Sequence, residues 1–115
     1  MEFFQRIEDN HIYVITVEGR ITAGEDTAAL RDCFEQALQV EAIDTFIVNL
    51  KKVPFIDSNG LGVISSFLEK TRIKNKKLIL CELVQIIEDL LLVSGLNSLL
   101  TLYPTEKEAL SALIE

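Results

Sequence analysis

The stretch "VPFIDSNGLGVISSFL", residues 53 to 68, sets an aspartate, a serine and an asparagine directly ahead of Gly60 and Gly62. A serine in such company can do three kinds of work. As a helix cap, Ser58 or Asp57 accepts a hydrogen bond from one of the first-turn N–H groups that lack partners of their own. As a nucleophile, Ser58 needs a base, and a hydrolase elbow reads G-x-S-x-G. The run here is "IDSNG", with Ile56 where the first glycine belongs. As a phosphate acceptor, Ser58 holds the group at a helix N-terminus, where backbone N–H groups and the helix dipole favour negative charge. Phosphate there adds about 1.5 to 2 negative charges beside Asp57, enough to repel a partner docked on the loop.

Other chemistry finds little support. The only histidine, His11, stands at the start of a strand-like run, and nothing in the sequence sets it beside Ser58 with a carboxylate behind it. "GLGVIS" has Ser65 in place of the third glycine of a dinucleotide fingerprint, and no GxxxxGK[ST] loop occurs, so no cofactor is expected. Cys33 and Cys81 are too few and too far apart for a metal or redox motif, and both read as buried apolar residues. No metal site is expected with one histidine. A hydroxyl without a base is a substrate rather than a catalyst, so the chain reads as a non-enzyme.

At 115 residues, 49% apolar and 25% charged, the chain fits one domain, residues 1–115, able to fold around a single core. A net charge of -7 argues against direct nucleic-acid binding, which draws on basic patches. The run "KNKK" at 74 to 77 reads as a solvated loop after a helix. "MEFFQRIEDN" lacks the form of a signal peptide. "LILCELVQIIEDLLLV" is interrupted by Glu82, Gln85, Glu88 and Asp89, short of the ~20 apolar residues of a spanning helix. A cytoplasmic protein without membrane insertion is expected.

The elements that must position Ser58 follow from periodicity. "HIYVITVE" (11 to 18) alternates β-branched residues and stops at Gly19, and Phe3 to Ile7 can pair with it antiparallel through the turn "EDN". Leu30, Cys33, Phe34, Ala37 and Leu38 form a helical stripe. "TFIVNL" (45 to 50) and "KLILC" (77 to 81) are apolar runs typical of strands covered on both faces. Between them a helix begins near Ser58, with Leu61, Ile64 and Leu68 on one face and Val63 and Phe67 beside them. A third helix from Leu83 to Ser94 presents Leu83, Ile86, Ile87, Leu90 and Leu91, with Gly95 leaving it left-handed. "LLTLY" (99 to 103) is a last strand, and "TEKEALSALI" a closing helix capped by Thr105. This alternation predicts an α/β fold with crossover helices, and the loop carrying Ser58 leaves the carboxyl end of a strand, where such folds keep their sites.

"VPFIDSNGLGVI" resembles the signature of STAS-domain proteins, in particular the bacterial anti-sigma factor antagonists. "VITVEGRITAGEDTAAL", "FIVNLKKVPFIDSNGLGVI" and "LVSGLNSLLTLYPTEKEAL" extend the likeness over nearly the whole chain. The resemblance implies a mixed, mostly parallel β-sheet of four to five strands flanked by about four α-helices. It implies that Ser58 is phosphorylated by an anti-sigma factor serine/threonine kinase, which holds the ATP, and restored by a serine phosphatase. The unphosphorylated form would bind the kinase and release the sigma factor. Asp57, Asn59, Gly60, Leu61 and Gly62 would form the docking loop and helix start, the two glycines letting the partner approach the backbone.

Three places along the chain depart from the family pattern. Thr22 stands where many members have aspartate, the central strand ends Asn49-Leu50 rather than Asp-Leu, and Asn75-Lys76 replaces a Gly-Gly, read as a turn variation. Thr22 and Asn49 are expected near the phosphoacceptor, where the lost carboxylates change the local charge. The same family also includes accessory subunits of lipid or anion transport systems and of stress-signalling assemblies, in which the loop is an interface without phosphorylation. A serine hydrolase is the third reading, which fluorophosphonate labelling of Ser58 would test.

Overall fold

The computed structural model describes residues 1–113, so Ile114 of the expected closing helix lies outside the described residues. In chain order the elements are β1 (Glu2–Glu8), β2 (Ile12–Glu18), α1 (Glu25–Leu38), β3 (Thr45–Lys52), α2 (Ser58–Ile73), β4 (Lys77–Cys81), α3 (Gln85–Ser94), a short 3-10 turn (Leu96–Ser98), β5 (Thr101–Tyr103) and α4 (Glu106–Leu113). The five strands lie in the sheet in the order β1-β2-β3-β4-β5. β1 pairs antiparallel with β2, and every other pairing is parallel. The mixed, mostly parallel sheet expected from the sequence is therefore observed.

Because the chain steps across the sheet in one direction, crossovers of one hand leave their helices on one face. There Ile15, Val17, Phe46, Val48, Leu50, Leu78 and Leu80 of the strands meet the buried residues of α1, α2 and α3. Phe67 of α2 organises this layer, stacking on Phe34 of α1 with ring centroids 4.0 Å apart and meeting Phe46 of β3 edge-on at 5.2 Å. Such pairs add about 0.5–1.5 kcal/mol each beyond their buried area. Ile12, Val14, Ile47, Ile79 and Cys81 point to the other face, which α4 covers through Ala109. Both cysteines are buried, and burial pushes the Cys81 thiol up to about 12.

The basic run after α2 is exposed at Lys74, Asn75 and Lys77, as expected of a solvated loop, and half-buried at Lys76. The last turn of α1 has no basic residue. Its terminal region is met from across the layer, where Lys74 Nζ donates to Leu38 O at 3.5 Å and Lys76 Nζ to Val40 O at 3.2 Å. Cations at a helix C-terminus satisfy carbonyls that have no partner within the helix. Asn75 takes φ +57, a left-handed turn residue as anticipated.

α3 departs furthest from its expected form. Leu83 and Val84 precede the helix, and of the predicted stripe only Ile87 and Leu91 are fully buried, while Ile86 is exposed. Leu83 and Leu90 are only half-buried against the core. Gly95 does leave the helix left-handed at φ +80, and Thr105 Oγ1 accepts from Glu108 N at 3.1 Å.

Candidate functional site

The carboxyl ends of β2, β3, β4 and β5 share one rim, and Ser58 follows the loop that leaves β3 there. Val53 and Ile56 are buried and anchor that loop. It lies against the loop after β2. Gly19 N donates to Lys52 O at 3.0 Å, Ile21 N to Phe55 O at 2.9 Å, and Asp57 N to Ile21 O at 3.0 Å. Ile21 and Ile56 form an isolated parallel bridge. The two loops are thus an extension of the β2·β3 pairing beyond the sheet, and Arg20 lies over the Phe55 ring at 5.2 Å to its centroid.

Asp57 completes the junction. Its backbone is extended, it is the N-cap of α2, and its Oδ1 accepts from Gly60 N at 2.9 Å. Its Oδ2 accepts from Ala23 N, also at 2.9 Å, so one carboxylate ties the helix start to the neighbouring loop. The Gly60 N–H chiefly holds the Asp57 carboxyl below its ordinary range, outweighing desolvation, and the Ala23 N–H adds to it. Asp57 is the cap, which settles the choice left open between it and Ser58. Ser58 is the first residue of α2 and is exposed, as is Asn59.

The glycines divide. A Cβ on Gly60 would stand 2.5 Å from Ile56 Cγ1, 2.6 Å from Ile21 Cγ2 and 2.9 Å from Ile21 O. Gly60 is buried, so it serves packing of the helix start on the two loops and does not open the backbone to a partner. Gly62 is exposed with nothing within 4 Å of its Cβ position. Leu61 is half-buried against the core.

Thr22 is brought to the site by the loop pairing, and its hydroxyl donates at 3.3 Å to Asp26 Oδ2, a carboxylate in the first turn of α1. Asn49 does not turn towards Ser58. It projects to the α4 face, where Nδ2 donates to Glu106 Oε1 at 3.1 Å and Oδ1 accepts from Lys51 N at 2.9 Å. Glu106 also receives Arg6 Nη2 at 2.5 Å, and its backbone N–H donates to Glu82 Oε2 at 2.8 Å. Asparagine suits a position opposite a carboxylate, and an aspartate there would oppose it. Sequence reading missed Ala23, which contributes only its backbone, and Glu106, whose role depends on a helix returning to the other face.

His11 lies at the amino end of β2, whereas Ser58 follows the carboxyl end of the parallel strand β3. Its ring is engaged by Asp44 at 2.8 Å and Asp9 at 3.4 Å. Ser58 and His11 are therefore at opposite ends of the sheet and form no catalytic pair. No helix among the described residues is long and apolar enough to cross a membrane.

A serine at a helix start on the rim of a five-stranded mixed sheet defines a class that comparison identifies. The STAS domain family model matches residues 4–109, and the chain belongs to the STAS domain family. An anti-sigma F factor antagonist of Paenibacillus polymyxa is 30% identical over 79 residues, covering 69% of this chain and 68% of that protein. Within the family, the chain is thus related at modest identity to the anti-sigma factor antagonists. An anti-sigma factor antagonist from Mycobacterium paratuberculosis shares the fold with TM-score 0.83 at 24% identity, over 99% of this chain and 94% of that one. The phosphorylated form of the Bacillus cell fate determinant SpoIIAA gives 0.76 at 21% identity, over 97% and 99%. The STAS domain of a SulP transporter from Vibrio cholerae gives 0.78 at 23%, over 95% and 84%. At these identities the three structures speak to the fold alone.

Proposed function

We propose that the chain is an anti-sigma factor antagonist operated by partner switching, with Ser58 as the switch. The observation that carries this reading is the division of labour at the head of α2: Asp57 takes the cap, and Ser58 is left exposed beside it. In the unphosphorylated state the chain binds a cognate anti-sigma factor serine/threonine kinase in the cytoplasm and frees the sigma factor. The Ser58 hydroxyl oxygen then attacks the γ-phosphorus of ATP held by the kinase. The new O–P bond replaces the bond to ADP, and the hydroxyl proton passes to a base of the kinase. The product carries about 1.5 to 2 added negative charges next to an Asp57 that stays ionised, and burying that charge in an interface opposes binding. A serine phosphatase removes the phosphoryl group and resets the cycle. The chain does no catalysis of its own.

Contact would come from Asn59, Gly62, the edge of Leu61 and the Thr22 loop around Ser58, with Gly60 and Asn49 acting from beneath by holding the scaffold. An open groove continues along α2 from Gly62 to Ile73, with Leu99 on its lining; its apolar residues on α2, Leu68 and Ile73, lie towards the end of the helix remote from Ser58. The test is intact mass after incubation with ATP and the kinase, paired with a pull-down before and after. A single phosphoryl gain, absent in Ser58→Ala, with capture of the kinase only by the unmodified chain, is expected. Capture of a transporter subunit with no mass gain would replace this reading by the transport-accessory one.

A further inference from the structure

β1 is an end strand of the sheet, seven residues long, and its outer edge pairs with no strand among the described residues. Two of its apolar side chains lie open, Phe4 at 51% and Ile7 at 54% exposure. An edge of this length is a template for another strand unless something discourages it. From these features we infer that the β1 edge is a homodimer contact, pairing antiparallel with β1 of a second copy about a two-fold axis at Phe4. The inference stands on β1 alone and is independent of the role of Ser58.

Charge selects the occupant, and charge together with paired length selects the register, since centring on Ile7 also sets Arg6 against Glu8 twice but pairs only residues 6 to 8 of β1. In the pairing with β2, Phe4 lies opposite Thr16, Arg6 opposite Val14 and Glu8 opposite Ile12. Val14 and Ile12 belong to the α4 face, so the even-numbered residues of β1 point there. In a continuous antiparallel sheet, residues directly opposite one another share a face, so even residues must meet even residues. Centring on Gln5 sets Glu2 against Glu8 of the copy, and centring on Arg6 sets two guanidinium groups together. Centring on Phe4 sets Glu2 against Arg6 twice, and the Phe4 rings against each other. On the opposite face it brings Met1 over Ile7, so both exposed apolar residues of β1 are covered. Arg6 remains able to donate, since only Nε is used by Glu8 and Nη2 by Glu106. The same charges oppose pairing with an apolar strand of arbitrary origin, which makes a second copy the favoured occupant.

One edge strand is a small contact, so dimerisation should be weak and concentration-dependent. The experiment is sedimentation velocity over a concentration series, with amide hydrogen exchange of β1 read at low and high concentration. The wild type should move from monomer to dimer while β1 amides gain protection. Glu2 forms no ion pair among the described residues, so Glu2→Arg leaves the fold intact, as circular dichroism would verify. It should weaken dimerisation at least about tenfold, because two favourable cross-strand pairs become repulsive. Phe4→Lys should do the same. A chain that stays monomeric throughout, or a dimer that tolerates both substitutions without protection of β1, would overturn the inference.

Discussion

One carboxylate at Asp57 bonds two loops, and its ionisation is the link between local chemistry and stability. Its carboxyl lies below the ordinary value of 3.8 in the folded chain because backbone N–H groups solvate the charged form. A carboxyl depressed by folding contributes stability that is fully present above its unfolded value and is lost as pH falls through the folded one. Asp57→Ala is therefore expected to unfold at lower urea concentration than wild type at neutral pH, with the two converging in acid. Asp57→Asn should fall between them, since asparagine still accepts from Gly60 N but carries no charge. Urea titrations across the acid range check this. A gap that widens in acid would contradict the assigned bonds.

At the scale of elements, α2 carries two glycines with opposite consequences. Gly60→Ala forces a methyl against Ile21 and Ile56, and overpacking of this kind costs about 1–3 kcal/mol. Gly62→Ala meets open space and should stabilise by roughly 0.5–1 kcal/mol through helix propensity. Chemical denaturation of the two variants should move in opposite directions. The helix itself was legible in the sequence, because an N-cap type precedes an apolar 3.6-residue period. The difference between its glycines was not, since it depends on Ile21, a residue brought in by a loop from another part of the chain. The inner strands β2, β3 and β4 were legible because apolar runs covered on both faces leave little ambiguity, whereas β5 begins at Thr101, two residues later than expected. α3 was misread in width because periodicity shows which face is apolar but not how much of that face the rest of the fold covers. Asn49 was placed at the site by the resemblance to the family pattern, yet strand alternation sends its side chain to the face of α4.

For the molecule as a whole, the two sides of the sheet are held by different means. Three helices share one large apolar layer, whereas α4 buries Ala109 and is fastened by a polar set comprising Arg6, Asn49, Glu82 and Glu106. Asn49→Asp places a second carboxylate against Glu106 and should cost on the order of 1–3 kcal/mol, as a partly buried acceptor loses its donor. Like charge raises the folded carboxyl value, so this deficit grows as pH rises through the carboxylate range and shrinks in acid. Hydrogen exchange should show faster opening of α4 than of α2 in this variant. Equal acceleration of both helices would mean that the latch is not local.

Strand order across the sheet is also the order of synthesis. Each new parallel strand docks on the one made just before it, so no gap has to be kept open for a strand still to come. Contacts between successive elements favour rapid folding and growth of structure as the chain emerges. The advancing edge changes with each strand, while the outer edge of β1 is bare from the first hairpin onwards. Glu2, Arg6 and Glu8 along it then act as a guard during the interval in which the rest of the sheet does not yet exist.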